Sequence, residues 1–204
     1  MGKKKHIEPI ATTYRGRSFR SRLEARWAVF LDYHHLVDVW EYEPRTFQHP
    51  SKGWSYTPDF VVKVGPFRFM AEIKPEQPTP EYLAVLLHFV PVIGQKLVVC
   101  WGDFFQGNIP LLCDLSEYRV DPTQPIDFED LAAFVKDTAT PINQTVWFPD
   151  PTESLQAASS FRFDLPQSAP PNRKGSYQNM TEFTNRWVNR ERQRNTKRKR
   201  KRKR

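Results

Sequence analysis

Apolar positions along this chain recur first with a helical period and then with the period of strands. From Ser18 to His34 (SFRSRLEARWAVFLDYH), residues Phe19, Leu23, Trp27, Phe30 and Leu31 form one stripe. That spacing predicts an amphipathic helix with Ser18 as its N-cap. Glu24 adjoins the stripe rather than opposing it, so it is expected where the helix meets a sheet; Arg20 shares its flank at i, i+4 spacing. Leu36 to Phe47 (LVDVWEYEPRTF) reads as a strand kinked at Pro44. Tyr56 to Val64 and Phe67 to Lys74 read as two more strands, rich in aromatic and β-branched residues and separated by Gly65-Pro66. A helix is expected from about Thr79 with Pro80 at its first position, and the apolar run Lys96 to Trp101 reads as a buried strand. The order predicts an α/β fold with an αβββαβ core.

Beyond Trp101, residues 103–120 read as an added hairpin around Gln106-Gly107-Asn108, and Asp127 to Asp137 as a short helix with Phe128, Leu131, Phe134 and Val135 on its packed face. Residues 1–137 would then form the domain. Residues 138–175 have the composition of a Pro-rich linker, although Trp147, Phe148, Phe161 and Phe163 suggest that part of it lies against the surface. In residues 176–190, Tyr177, Met180, Phe183, Trp187 and Val188 recur at helical spacing. This amphipathic helix would dock on the domain or bind a partner, a homodimer mate included.

The candidate chemistry lies on the two central strands. With the turn centred on Gly65-Pro66, Val64 faces Phe67, Val61 faces Met70, and Asp59 faces Glu72; Lys74 shares the face of Glu72. Carboxylates directly opposite each other repel. A divalent cation between them reverses the sign, because Mg²⁺ and Mn²⁺ favour hard oxygen donors. The alternative is ordinary solvent-facing charges on a hairpin, and an odd-length loop would shift the register. No phosphate-cradling Gly loop, Ser/His triad spacing or HxxxH metal pair is present, and His34 and His35 at a helix end read as structural.

With Glu24 on the first helix, Pro58-Asp59 on one strand and Glu72-Ile73-Lys74 on the next, the chain resembles the PD-(D/E)xK nuclease superfamily. The phrases FRSRLEARWAVFLD, WEYEP, YTPDFVV and AEIKP are similar to small nucleases of phages and mobile elements, and to the N-terminal endonuclease domain of the TnsA transposase subunit. The resemblance covers about Tyr14 to Trp101. It implies a restriction-endonuclease-like core with a mixed central sheet flanked by helices and a C-terminal extension, and a Mg²⁺- or Mn²⁺-dependent DNA endonuclease. By the same resemblance Asp59 and Glu72 would ligate the metal with the carbonyl of Ile73, and Glu24 would join them. Lys74 would orient the attacking water, its own pKa lowered by partial burial. Arg15, Arg17, Arg20 and Arg22 would grip phosphates from the start of the helix, or form a solvated basic helix end. Other classes stay open: a nucleic-acid binder on a degenerate nuclease fold, and a subunit of a transposase or packaging assembly that cuts only with a partner.

The net charge of +8 is unevenly distributed. Residues 191–204 hold ten Lys/Arg against one acid, and the other 190 residues hold 21 against 22. A block such as Lys197-Arg198-Lys199-Arg200 opposes its own packing, so the tail is expected to be disordered. It would be a nucleic-acid-binding arm, a solubilising tail or a localisation signal. No apolar run reaches membrane-spanning length, and the two cysteines lack metal or disulfide spacing, with Cys100 read as a buried thiol. A cytoplasmic setting is expected, in a bacterial host if the chain is phage-encoded. Deleting residues 191–204 is expected to flatten the salt dependence of DNA binding by several contacts, at roughly 0.9 log–log units per contact. A salt series of binding isotherms checks this, and an unchanged slope would reduce the run to a solvated appendage.

Overall fold

The computed structural model describes residues 9–105, 108–121, 124–165 and 167. The helix expected over 176–190 and the basic run containing Lys197, Arg198, Lys199 and Arg200 lie outside them. The described residues open with a small hairpin, β1 (Thr12–Tyr14) and β2 (Arg17–Phe19), closed by Arg15 and Gly16 at φ 53° and 76°. Two successive positive φ values match the twist of a two-residue hairpin turn. The first helix, α1 (Arg22–Tyr33), therefore starts later than expected. Its N-cap is Ser21, not Ser18, with the Ser21 hydroxyl accepting from the Glu24 N–H. Ser21-x-x-Glu24 supplies the stronger start signal, and Ser18 is held in β2 by pairing with Thr13.

A six-stranded mixed sheet forms the centre, in the order β10-β9-β8-β7-β6-β3. Strand β3 (Val37–Tyr42) pairs antiparallel with β6 (Phe60–Val64), which pairs antiparallel with β7 (Phe67–Lys74). The strand expected to run through Pro44 instead breaks at Glu43, whose φ is 46°. Beyond the break, β4 (Phe47–Gln48) and β5 (Ser55–Tyr56) make a separate two-stranded sheet, so the strand expected from Tyr56 is interrupted at Pro58-Asp59. Helix α2 (Pro80–Ile93) has Thr79 as N-cap and Gly94 in the left-handed region at its end, and leads to β8 (Lys96–Trp101), parallel to β7. Strand β9 (Leu111–Asp114) pairs back on β8, so the added hairpin uses β8 as its first arm rather than lying within 103–120. Cys100 and Cys113 sit buried on these strands as free thiols.

The sheet divides two apolar layers. On one side α1 packs with Phe60, Val62, Phe69, Ala71, Ile73 and Cys100; on the other α2 and α3 (Phe128–Thr138) pack with Val61, Met70, Leu97 and Val99. Phe128, expected on the packed face of α3, is 46% exposed. It stands at the first helical position, next to the Asp127 cap. The Pro-rich segment also departs from expectation. It adds β10 (Thr140–Pro141) to the sheet edge and forms α4 (Thr152–Ser160), which packs on α1. Ile142, Trp147, Phe148 and Ala158 are buried in the same apolar layer, with Phe148 against Phe30 and Trp147 against Phe67 and Phe69 of β7. Its prolines set turns and a helix start while its aromatics fill the core, so folded structure extends well past residue 137. Phe148→Ala is expected to destabilise the protein by about 3–5 kcal/mol, the range for emptying a buried aromatic site. Urea unfolding measures it, and a loss below about 1 kcal/mol would return the segment to the surface.

Candidate active site

The Gly65-Pro66 turn has two residues and holds the expected register, with Val64 facing Phe67 and Val61 facing Met70. The ladder ends at Phe60 and Ala71, however, so Asp59 lies one residue beyond it instead of pairing with Glu72. Gly65 makes this possible at φ 51°, a value that a side chain rarely allows. Alternation from Val61 and Met70 carries Asp59, Glu72 and Lys74 onto the α2 side of the sheet. Glu24 approaches from the opposite layer, on α1. The two layers meet where β6 begins, at Pro58-Asp59. There Glu24, Asp59 and Glu72 are 8%, 3% and 4% exposed.

Each carboxylate has its own partners. Asp59 Oδ2 accepts from the Ile73 N–H at 2.7 Å, and its Oδ1 pairs with the Arg20 guanidinium at 2.6 Å. Glu72 accepts from the Tyr56 hydroxyl at 2.8 Å and the Tyr82 hydroxyl at 2.5 Å, and pairs with Lys74 Nζ at 2.6 Å. Glu24 accepts from the Tyr42 hydroxyl at 2.5 Å and the Arg20 backbone N–H at 3.1 Å. Arg20 thus joins both layers: its Nε reaches the Tyr42 oxygen at 3.3 Å and Glu43 at 2.9 Å, while its other arm holds Asp59. The pairing of Arg20 with Glu24 is through the main chain. The four arginines are not equivalent. Arg15 pairs with Asp32, Arg17 lies over the Trp40 ring and Arg22 is exposed at the start of α1, whereas Arg20 enters the cluster. His34 is the buried C-cap of α1, its Nδ1 accepting from the Leu36 N–H, in keeping with a structural role.

Burial first, and repulsion from Glu72 and Glu24 next, push the Asp59 carboxyl up to about 7, against the Ile73 N–H and Lys74. Arg20 pairs with the other Asp59 oxygen, but its side chain is 59% exposed, so solvent screens that charge. Burial acts to lower the Lys74 pKa, but the Glu72 carboxylate outweighs it and the pKa is raised. The expected lowering of Lys74 is therefore overturned: an ion pair at 2.6 Å favours the ammonium more than partial burial disfavours it. Burial and Glu24 push the Tyr42 hydroxyl up to about 12, and burial with Glu72 raises Tyr56 and Tyr82. These phenols stay protonated as donors to the carboxylates.

The hard-oxygen donors and the excess negative potential on Asp59 suit a divalent cation such as Mg²⁺ or Mn²⁺. As the side chains stand, no group of three or more His, Cys, Asp or Glu residues among the described residues is arranged to hold a metal. Arg20 and Lys74 take the carboxylate oxygens that such a cation would need. Tyr42, Glu43, Tyr56 and Tyr82 were not anticipated as members of the site. Tyr42 had a usable signal, since alternation with Trp40 turns it toward α1; the two Glu72 phenols come from a separate sheet and a helix, and nothing local marks them. Compared with models of protein families and with curated proteins, the chain matches none. Among the described residues, no helix is long and apolar enough to cross a membrane.

The Asp59 shift fixes a pH dependence. With a folded-state pKa of about 7 against an ordinary 3.8, the folded chain binds more protons than the unfolded chain between those values. Stability should therefore fall as pH rises through that window, by at most about 1.4 kcal/mol per unit, and the full cost is present above 7. In chelator, Asp59→Asn is expected to be more stable than the parent at pH 8 and to flatten the dependence between pH 5 and 8, on the order of 1 kcal/mol or more. Urea unfolding at a series of pH values checks this; parallel curves for the two proteins would sink it.

Proposed function

We propose that this chain is a metal-dependent DNA endonuclease of the PD-(D/E)xK superfamily, with α1, β3, β6, β7, α2 and β8 as a restriction-endonuclease-like core. The observation that supports this most directly is the convergence of Glu24, Asp59, Glu72 and Lys74 at one end of the sheet, from both layers. The element order, one helix, three antiparallel strands, a second helix and a parallel strand, is also what such a core requires.

A bound Mg²⁺ or Mn²⁺ would supply an activated water and neutralise charge on the scissile phosphate. Asp59 and Glu72 would hold it with the carbonyl of Ile73, and Glu24 would complete the carboxylate set. Releasing Lys74 from Glu72 leaves an ammonium with three donors and no acceptor, suited to orienting a water or a phosphate oxygen. Arg20 is exposed enough to exchange Asp59 for a phosphate, whose planar bidentate recognition suits a guanidinium. Tyr56 and Tyr82 keep Glu72 oriented through both states of Lys74. The ion pairs on Asp59 and Glu72 also favour a second reading, in which cutting awaits a partner that presents DNA, as in a transposase or packaging assembly.

Plasmid cleavage by the full chain is expected with Mg²⁺ or Mn²⁺ and to stop in EDTA. Asp59→Ala, Glu72→Ala and Lys74→Ala should each lower it by at least about 100-fold, the lower end for a group acting in the reaction, while circular dichroism stays unchanged. Full cutting by Asp59→Ala, or cutting in EDTA, would remove the proposal.

A further inference from the structure

On the α2 side, the turn between β4 and β5 meets the second half of α2 in a partly exposed group of Lys52, Trp54, His49 and His88. Lys52 Nζ lies 4.5 Å from the centroid of the Trp54 ring and 2.9 Å from Nε2 of His88. The Trp54 ring is 5.7 Å from that of His88 and 6.3 Å from that of His49, and the two imidazoles stand edge to face at 6.0 Å. The His49 N–H donates to the Trp54 carbonyl at 2.8 Å, which extends the β4–β5 ladder and braces the turn. Trp54 nevertheless leaves 41% of its surface in water.

An indole 41% exposed beside an ammonium is suited to an anionic partner with a flat apolar part. The surroundings have the matching charge. From Pro44 to Pro58 the chain carries Arg45 and Lys52 and no Asp or Glu, and α2 has none from Tyr82 to Ile93. Burial, Lys52 and His49 keep the His88 pKa below its ordinary value, which suits Nε2 to accept from Lys52. The group is also continuous with the carboxylates. Trp54 lies just before β5 and two residues from Tyr56, whose hydroxyl donates to Glu72, and two extended residues span about 7 Å. The β4–β5 turn that carries the indole is thus joined in sequence to a residue that touches the carboxylate cluster.

We infer that Lys52, Trp54, His49 and His88 form a platform for an unpaired base of a nucleic-acid strand, Trp54 stacking the base and Lys52 taking a neighbouring phosphate. Every base offers a π-face, so the contact tolerates sequence, whereas the bases of an intact duplex are already stacked on each other. The platform thus selects single-stranded character beside the carboxylate site, as in an overhang, flap or opened junction. The link to cutting rests on the nuclease reading above; the binding does not.

The test measures binding of the full chain in EDTA, so that no cleavage is required, at salt high enough to weaken contacts from the basic tail. Labelled blunt duplex is compared with the same duplex carrying a single-stranded overhang, in DNA and in RNA. Trp54→Ala is expected to weaken the overhang complex about tenfold, within the range for one lost base stack, and the blunt complex less than about twofold. Trp54→Phe should restore most of the loss, and Lys52→Ala should lower the salt slope by about one contact. Loss on either overhang supports the platform, and the sugar that shows it identifies the strand. Unchanged overhang binding, or equal losses on blunt and overhang substrates in a variant with parental melting temperature, would overturn it. If the platform holds while no metal supports cleavage, the nuclease reading fails separately.

Discussion

Three carboxylates buried at the mouth of one hairpin are the constraint around which this structure is organised. Asp59 is 3% exposed and feels both Glu72 and Glu24, so each ionised neighbour raises the cost of the others. An isolated buried charge is prohibitive, and the fold answers with a shell of donors. Three tyrosine hydroxyls, the Ile73 and Arg20 N–H groups, one lysine and one arginine surround the cluster. The shell draws on both layers of the core, on the small β4–β5 sheet and on the first turn of α2. Breaks that interrupt the regular elements serve it. The left-handed Glu43 ends β3, and the halt at Pro58-Asp59 leaves the carboxylate at a strand end instead of inside a ladder.

Arg20 carries a large part of this arrangement because it lies between the layers. Burial acts against its charge, and the Tyr42 hydroxyl and Asp59 more than offset that, raising its pKa above the ordinary value. Its guanidinium is anchored at the buried end by Asp59 and at the exposed end by Glu43. A cation held this way offsets part of the negative charge of the site and keeps much of its own surface in water. Lys74 has the same relation to Glu72, backed by its position over the Tyr82 ring.

Much of the fold and of the site was legible because short-range rules act on them directly. Gly65-Pro66 set a two-residue turn, the turn set the register, and period two then put Asp59, Glu72 and Lys74 on one face. Thr79, Pro80 and Gly94 marked the ends of α2, and the apolar run Lys96–Trp101 marked the strand beside β7. Glu24 was placed at the helix–sheet junction by its offset from the apolar stripe.

What remained for tertiary structure were choices among partners that local pattern leaves equal. Serine is a favoured cap residue at both 18 and 21, and the pairing of β2 with β1 assigned Ser18 to a strand. Four arginines lie within eight residues, and the turn at Arg15-Gly16 with the Ser21 cap directs one of them to Asp59. Residues 138–175 read as linker because composition reports backbone preference; Trp147, Phe148 and α4 became core only because α1 and β7 offer them an apolar face. The Tyr56 and Tyr82 contacts to Glu72 likewise need two elements brought together from outside the hairpin. Periodicity states which face of an element is buried. Which surface buries it, and which polar groups meet there, is decided by packing across long sequence separations.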